Sequence, residues 1–324
     1  MLAVETCNLT KDYAAGFWRK RRHRALDGLN LKVEAGETFG LLGPNGAGKS
    51  TTLKLLFRFI FPTAGMARIL GHHASDLRIH ARLGYLPENP SFYDHLSASE
   101  SLVFAGQLFG LSGRELRRRS EIMLERAGLS EVGSLPVRKF SKGMVQRLGI
   151  AQALINNPEL IFLDEPMSGL DPVGRREVRN LILDLRKEGK TILFSTHILS
   201  DAETLCDRVA ILNRGQLLGC GDLHEILGME TSGNEMVIED PSPHVIEALK
   251  SFAHAAVRTG SRVRVEFSGE QEPGGLLQTA LAAGAHIISF NPVKLSLEDY
   301  FMARVGAPAE PTDAPSSRRQ ERPL

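Results

Sequence analysis

The sequence predicts an α/β domain at residues 1–228, followed by a small α+β domain. Apolar runs at 37–42, 160–163 and 191–196 are separated by helix-like stretches. Runs that are apolar on both faces suit the strands of a buried parallel sheet. Between about 89 and 140 the apolar residues recur at helical spacing, so we expect a helical insert within the α/β domain.

The second domain is expected at residues 229–306, where the pattern changes to short alternating segments. We predict strands at 235–238, 262–267 and 286–290, with helices at 245–252 and 276–283. That order is typical of a split β-α-β unit with both helices on one face of the sheet. The tail at 307–324 is rich in Pro, Ser and charge, so we expect it to be disordered.

The composition is that of an ordinary globular protein. The 324 residues carry a formal net charge of +1, which gives no reason to expect a nucleic-acid-binding surface. Cys7, Cys206 and Cys220 stand too far apart for a disulfide framework or a zinc site of usual spacing, so we expect a reducing compartment. The first 13 residues lack the apolar core of a secretory signal, and no apolar stretch reaches the roughly 20 residues that cross a bilayer.

A glycine-rich segment follows the first buried run and matches the P-loop pattern at every defining position. It consists of Gly43, Pro44, Asn45, Gly46, Ala47, Gly48, Lys49 and Ser50. Glycines let the backbone N–H groups wrap around phosphates, and the helix that follows adds a favourable dipole. Lys49 would neutralise the β- and γ-phosphates, and Ser50 would offer its hydroxyl to Mg²⁺. With Thr51 also counted as a contact, the segment predicts a nucleoside triphosphate site.

Two adjacent carboxylates, Asp164 and Glu165, end another buried run. The first is placed to hold Mg²⁺, and the second suits a general base that deprotonates the attacking water. The stretch 168–171 follows, and we count its Asp171 among the nucleotide-binding residues. His197 comes directly after a third run and could bond the γ-phosphate, although a lone histidine at a strand end is more often structural.

Together these motifs resemble those of the nucleotide-binding subunits of ABC transporters, over residues 1 to about 228. Residues 140–147 take the position of that family's signature motif. The resemblance implies that Ser141 and Gly143 of one subunit cap the γ-phosphate on the other. It therefore implies two ATP molecules in a head-to-tail dimer, either a homodimer or a pair with a related ATPase subunit. Tyr13 falls where the family stacks an aromatic ring on adenine; a core or turn tyrosine is the alternative.

The sequence departs from the common family pattern at two places. Lys142 and Met144 replace the usual glycine and glutamine of the signature, and Glu88 stands where most relatives carry a glutamine that contacts Mg²⁺. A carboxylate can still bind Mg²⁺. Both variants resemble family members that work with ABC-2-type permeases in export, so the resemblance implies an ATP-hydrolysing subunit of such an exporter.

The partners implied are a separate transmembrane permease and a second ATPase subunit, with no nucleic acid, at the cytoplasmic face of the membrane. The alternative is a soluble ABC ATPase of DNA repair or translation, although the coiled coils, tandem domains and zinc-binding cysteines of those classes are missing. A small-molecule kinase with a P-loop is disfavoured, because such an enzyme does not need the signature motif.

Some features stay open. The basic run at 19–24 could be a solvated loop, a contact for anionic lipid or a contact for nucleic acid. Phe92, Tyr93 and Leu96 could contact the permease or pack in the core. Residues 295–301 resemble the closing element of export-type relatives.

Overall fold

The computed structural model describes residues 1–15, 21–226, 231–268 and 272–294. The strands in chain order are β1 Leu2–Ala15, β2 Arg21–Glu34, β3 Thr38–Leu42, β4 Ala64–Ile69, β5 His72–His73, β6 Leu83–Leu86, β7 Leu160–Asp164, β8 Thr191–Thr196, β9 Arg208–Asn213, β10 Gln216–Asp222, β11 Thr231–Glu239, β12 Ala253–Thr259, β13 Arg262–Ser268 and β14 His286–Lys294. The expected domain boundary at 228/229, the segment 295–301 and the tail at 307–324 lie outside the described residues.

The α-helices are α1 Lys49–Leu56, α2 Ala98–Leu108, α3 Gly113–Arg126, α4 Lys142–Leu154, α5 Pro172–Lys187, α6 Leu199–Leu205, α7 Leu223–Ile226, α8 Pro243–Lys250 and α9 Pro273–Ala282. Short 3-10 turns occur at Leu77–Arg82, Ser130–Val132 and Val137–Lys139. Within the described ranges, no helix is both long and apolar enough to cross a membrane.

The central sheet has the strand order β10–β9–β3–β8–β7–β6. Its strands run parallel except for β10, which pairs antiparallel with β9. Strands β3, β7 and β8 are buried along their whole lengths, as their apolar sequences require. Because parallel strands end at the same edge, Leu42, Asp164 and Thr196 mark one edge of the sheet, where the chain changes from apolar to polar.

An antiparallel sheet in the order β2–β1–β4–β5 covers α1 and one face of the central sheet. The shared core includes Val4 and Leu26 from this sheet, Leu53 from α1, and Phe39 and Phe162 from the central strands. The long β1–β2 ribbon continues past this core and pairs Tyr13 with His23. The ribbon therefore brings the predicted adenine-binding residue toward the P-loop end of β3.

The region expected to be a helical insert contains α2 and α3. The Ser97 hydroxyl accepts the Glu100 backbone N–H, and the Glu100 carboxylate accepts the Ser97 N–H, which is a complete capping box that begins α2. Leu102 of α2 and Leu124 of α3 pack in one core with Leu148 of α4. This packing attaches the helices to α4, the helix that carries the signature segment.

The C-terminal sheet has the order β12–β13–β11–β14 and a core of its own. Met236 and Phe267 of the sheet pack beneath Leu249 of α8 and Leu276 of α9, so both helices lie on one face. The sequence did not predict β12, Ala253–Thr259. This strand lies at the edge of the sheet and is mostly exposed, so its residues lack the apolar alternation that identifies a half-buried strand.

We expect Phe267→Ala to lower the free energy of unfolding of the C-terminal sheet by about 3–5 kcal/mol, because the ring is almost fully buried under α8 and α9. Glu266→Ala, on the exposed face of the same strand, should change it by less than about 0.5 kcal/mol. Hydrogen exchange of the β11 and β13 amides measures both values. Equal losses of protection would contradict this account of the core.

Candidate nucleotide-binding site

The P-loop connects the end of β3 to the first turn of α1. Gly43 and Gly48 have φ values of +150° and +107°, which side chains with a Cβ rarely adopt. A Cβ at Gly43 would lie 2.2 Å from the Leu212 carbonyl oxygen, and one at Gly48 would lie 2.6 Å from that of Ala25. These positions therefore require glycine for conformation and for space, and the loop closes into a cradle of backbone N–H groups.

Lys49, the first residue of α1, points its ammonium group into this cradle. Its side chain is 5% exposed, and Nζ donates to the carbonyl oxygens of Gly43 at 2.6 Å and Pro44 at 3.2 Å. Nζ also lies 3.1 Å from Oε1 of Glu165. A buried ammonium needs such partners, and this set holds its charge against the P-loop.

Glu165 occupies the turn after β7 with a φ of +48°, an uncommon conformation for a residue with a side chain. Its carboxylate is bound from two sides, by Lys49 through Oε1 and by His197 Nδ1, which lies 2.8 Å from Oε2. The predicted base and the predicted histidine are therefore in direct contact. A strained backbone that aims a buried carboxylate into a pocket is typical of functional sites.

Asp164 lies beside Glu165 and faces Ser50. Its Oδ1 accepts hydrogen bonds from the hydroxyls of Ser50 at 2.9 Å and Ser195 at 2.7 Å. Ser195 of β8 also accepts the backbone N–H of Glu165 at 2.9 Å, so one buried hydroxyl positions both acidic residues. The sequence analysis did not identify Ser195, because its role depends on the pairing of β7 with β8.

A cavity of about 420 Å³ opens at this edge of the sheet. Sequence-predicted residues that line it are Tyr13, Asn45, Gly46, Ala47, Gly48, Lys49, Ser50, Thr51, Glu88, Glu165 and His197. Gly43, Pro44 and Asp164 contact this group through Lys49 and Ser50. His23, Ala25 and Ser168 also line the cavity and were not predicted; His23 arrives there opposite Tyr13 in the ribbon.

Ser141, Gly143 and Asp171 do not line this cavity. Ser141 caps α4 by accepting the Met144 N–H at 3.3 Å, and its side chain is exposed. Asp171 caps α5 by accepting the Gly174 N–H at 2.8 Å. One copy of the chain therefore holds the phosphate cradle and the signature segment at separate places.

The candidate ligands for a cation at this cavity are side-chain oxygen atoms. The Ser50 hydroxyl and Asp164 carboxylate lie together, and Glu88 faces the same space. These are hard ligands of the kind that Mg²⁺ prefers, so the residues fit that ion. In the described part of the chain, no three His, Cys, Asp or Glu side chains are grouped around a common metal position.

The buried carboxylate of Asp201 joins α5, which follows Asp171, to α6, which follows His197. Asp201 of α6 is 0% exposed and accepts Nη2 of Arg175 at 2.8 Å and Nη2 of Arg179 at 3.0 Å, both from α5. The loops that begin α5 and α6 are therefore held in a common position. The sequence analysis did not identify this contact, because Asp201 lies 26 and 22 residues from the two arginines and β8 separates their helices.

We expect Asp201→Ala to lower the free energy of unfolding by on the order of 3 kcal/mol, because two guanidinium groups lose their buried partner. Asp184→Ala is the matched control on α5: it removes an exposed pair with Lys187 and should cost less than about 1 kcal/mol. Urea titration of both variants gives the comparison. A cost for Asp201→Ala no larger than the control's would refute this role.

The chain is similar to known proteins over most of its length. The sequence model of the ABC transporter family matches residues 26–168. An uncharacterised ABC transporter ATP-binding protein of Synechocystis sp. is 44% identical over 304 residues, which cover 93% of this chain and 84% of that protein. A bacitracin transport ATP-binding protein of Bacillus licheniformis is 35% identical, with 94% of this chain and 97% of that protein covered.

A solved dimeric structure of an ATP-binding cassette in a post-hydrolysis state, bound to ADP and Pi, has the same fold. It is 29% identical with a TM-score of 0.63, and the match covers 68% of this chain and 99% of that one. Both full-length relatives are transporter ATP-binding proteins. The chain therefore belongs to the family of ABC transporter ATP-binding proteins.

Proposed function

We propose that this chain hydrolyses ATP to drive a separate ABC-2-type permease, with two ATP molecules held in a head-to-tail dimer at the cytoplasmic face of the membrane. The observation that carries the proposal is the convergence of Lys49, Glu165 and His197 within hydrogen-bond distance at the phosphate cradle. The transporter relatives support the coupling to transport and leave the DNA-repair and translation alternative without support.

In the proposed complex the P-loop N–H groups and Lys49 bind the phosphates. Tyr13 provides an exposed ring for the adenine, with the Lys11 ammonium 5.2 Å from the ring centroid. Ser50, Asp164 and Glu88 would hold Mg²⁺, which when bound neutralises charge on the β- and γ-phosphates. Binding would give Lys49 phosphate oxygens as partners in place of Glu165.

Glu165 released in this way can accept a proton from a water molecule. The water oxygen bonds to the γ-phosphorus as the bond from that phosphorus to the bridging oxygen breaks, which yields ADP and inorganic phosphate. His197 is held against Glu165 through Nδ1, which leaves Nε2 available for the γ-phosphate.

The proposed dimer follows from the separation of the signature from the cradle. Ser141 and Gly143 begin α4 at an exposed helix N-terminus, which favours an anion supplied by another molecule. The related cassette bound to ADP and Pi is a dimer, which supports the same arrangement here. We propose either two copies of this chain or one copy with a related ATPase subunit.

The proposed permease contact is an apolar cavity of about 350 Å³ beside α2. Its apolar lining residues include Phe92, Tyr93, Leu96, Phe104 and Leu108. Leu108 is 74% exposed. Exposed apolar side chains around a concavity are typical of protein-binding surfaces. Export as the direction rests on the Lys142, Met144 and Glu88 variants; the cargo would be chosen by the permease.

Glu165→Gln should lower ATP turnover by about 10²- to 10⁴-fold, because general-base catalysis contributes on that scale. The affinity for Mg²⁺-ATP should stay within a few-fold of the wild-type value. Phosphate release and nucleotide titration measure the two effects. Glu159→Gln, at the opposite end of β7, is the control and should turn over normally; a Glu165→Gln variant as active as this control would exclude the assigned base.

Addition of Mg²⁺-ATP should convert the Glu165→Gln protein from monomer to dimer, because binding is retained while turnover is blocked. Ser141→Arg in that background should prevent dimer formation without weakening nucleotide binding to the monomer, whereas Ser130→Arg, another exposed serine, should not. Size-exclusion chromatography with light scattering measures the mass. A Ser141→Arg variant that dimerises normally would refute the head-to-tail arrangement.

A further inference from the structure

A cavity of about 160 Å³ lies at the opposite end of the central strands from the nucleotide site. It is formed by α3, the end of α4 and the turns that precede β7 and β8. Its cationic lining residues are Arg118, Arg119, Arg126 and Lys190. Its floor is apolar, with Ile122, Met123, Leu154 and Leu185 among its residues.

The charges around this cavity do not balance. Glu115 pairs with both Arg118 and Arg119, and Glu188 pairs with Arg126. None of these carboxylates lines the cavity among the residues that the structure describes. Four cations and two carboxylates leave an excess of about two positive charges. Glu159 lies nearby, but its charge is paired with that of Arg82 and does not change this excess.

Lys190 is partly buried beside these cations. Burial and then the charge of Arg126 lower the pKa of its ammonium group, and the charge of Glu159 opposes them. Nζ donates to Asn157 Oδ1 at 2.7 Å and to the Pro158 carbonyl at 2.8 Å, which leaves a third N–H for another acceptor. The Arg126 guanidinium likewise has more N–H donors than its contact with Glu188 uses.

This cavity lies at the end of the central sheet opposite the nucleotide cavity. Asn157 and Pro158 precede the first residue of β7, and Lys190 precedes β8, so these residues mark the amino ends of the strands. Asp164 and the nucleotide cavity lie at the carboxyl ends. A ligand here would therefore bind at a distance from the phosphate cradle.

We propose that this cavity binds a phosphate monoester dianion through Arg119, Arg126 and Lys190. The planar guanidinium group can donate two parallel, charge-assisted hydrogen bonds to two oxygens of a phosphate, and an excess of two positive charges matches a dianion. The cavity is several times the roughly 30 Å³ that one water occupies, so a tetrahedral oxyanion fits. Free phosphate compounds and a phospholipid headgroup ending in a monoester both carry this group.

The first test is a calorimetric titration with inorganic phosphate, with the P-loop of every protein first saturated by a non-hydrolysable ATP analogue. Arg126→Gln combined with Lys190→Gln should weaken phosphate binding at least about tenfold. Arg117→Gln, which removes a charge from α3 away from the cavity, should change it less than about twofold. Glu188→Gln releases Arg126 and should tighten binding a few-fold, a gain that misfolding cannot imitate.

The second test separates the sources of the phosphate group. Full-length protein is sedimented with phosphatidylcholine vesicles with and without phosphatidic acid, again comparing the Arg126→Gln/Lys190→Gln variant with Arg117→Gln. Loss of phosphatidic-acid-dependent sedimentation in the double variant assigns a lipid headgroup, and loss of inorganic phosphate binding alone assigns a free compound. If neither titration nor sedimentation distinguishes the double variant from Arg117→Gln, and Glu188→Gln gains nothing, the proposal is overturned.

Discussion

The buried contact between the ammonium of Lys49 and the carboxylate of Glu165 constrains everything around it. Neither charge could be taken out of water alone, because an unpaired buried charge is far too unfavourable. Satisfying both requires the P-loop carbonyls on one side and the end of β7 on the other. The left-handed backbone of Glu165, a conformation that costs roughly 1–3 kcal/mol, aims this carboxylate at Lys49 and His197. In the free chain the proposed base is therefore held by the residue that would bind phosphate.

Separate ion pairs join the helices around the site. Asp201 joins α6 to α5, and Arg147 of α4 contacts Glu177 of α5 at 3.3 Å. Helices α4, α5 and α6 begin directly after the segments that carry Ser141, Asp171 and His197. In the dimer proposed above, these charged contacts would link the three segments to one another.

Net charge conceals how unevenly charge is distributed in this molecule. The formal value of +1 suggests no anionic partner. Yet the amino ends of β7 and β8 lie beside an arginine-lined cavity, and the carboxyl ends lie beside acidic residues. Folding places these groups at opposite ends of the same strands. Salt screens charges over short distances, so each group acts mainly on ligands that bind close to it.

The family and most of the proposed contacts could be predicted from the sequence, because their geometry is local. A P-loop is one continuous turn between a strand and a helix, so the spacing of Gly43, Gly48 and Lys49 encodes its shape. Asp164 and Glu165 end a strand that the apolar pattern identifies. Local geometry of this kind can be predicted without knowledge of the rest of the fold.

Only the tertiary structure decided which distant residues meet. Ser195 bonds both acidic residues because β8 pairs with β7, and His23 reaches the cavity because it lies opposite Tyr13 in the ribbon. The edge strand β12 was missed because exposure removes the apolar alternation that patterns detect. The sequence by itself determined a phosphate cradle and a pair of carboxylates, since neighbours along the chain create them. The buried ion pair, the separation of Ser141 from the cradle and the cationic cavity depend on strand pairing and helix packing between residues remote in sequence, which no local spacing specifies.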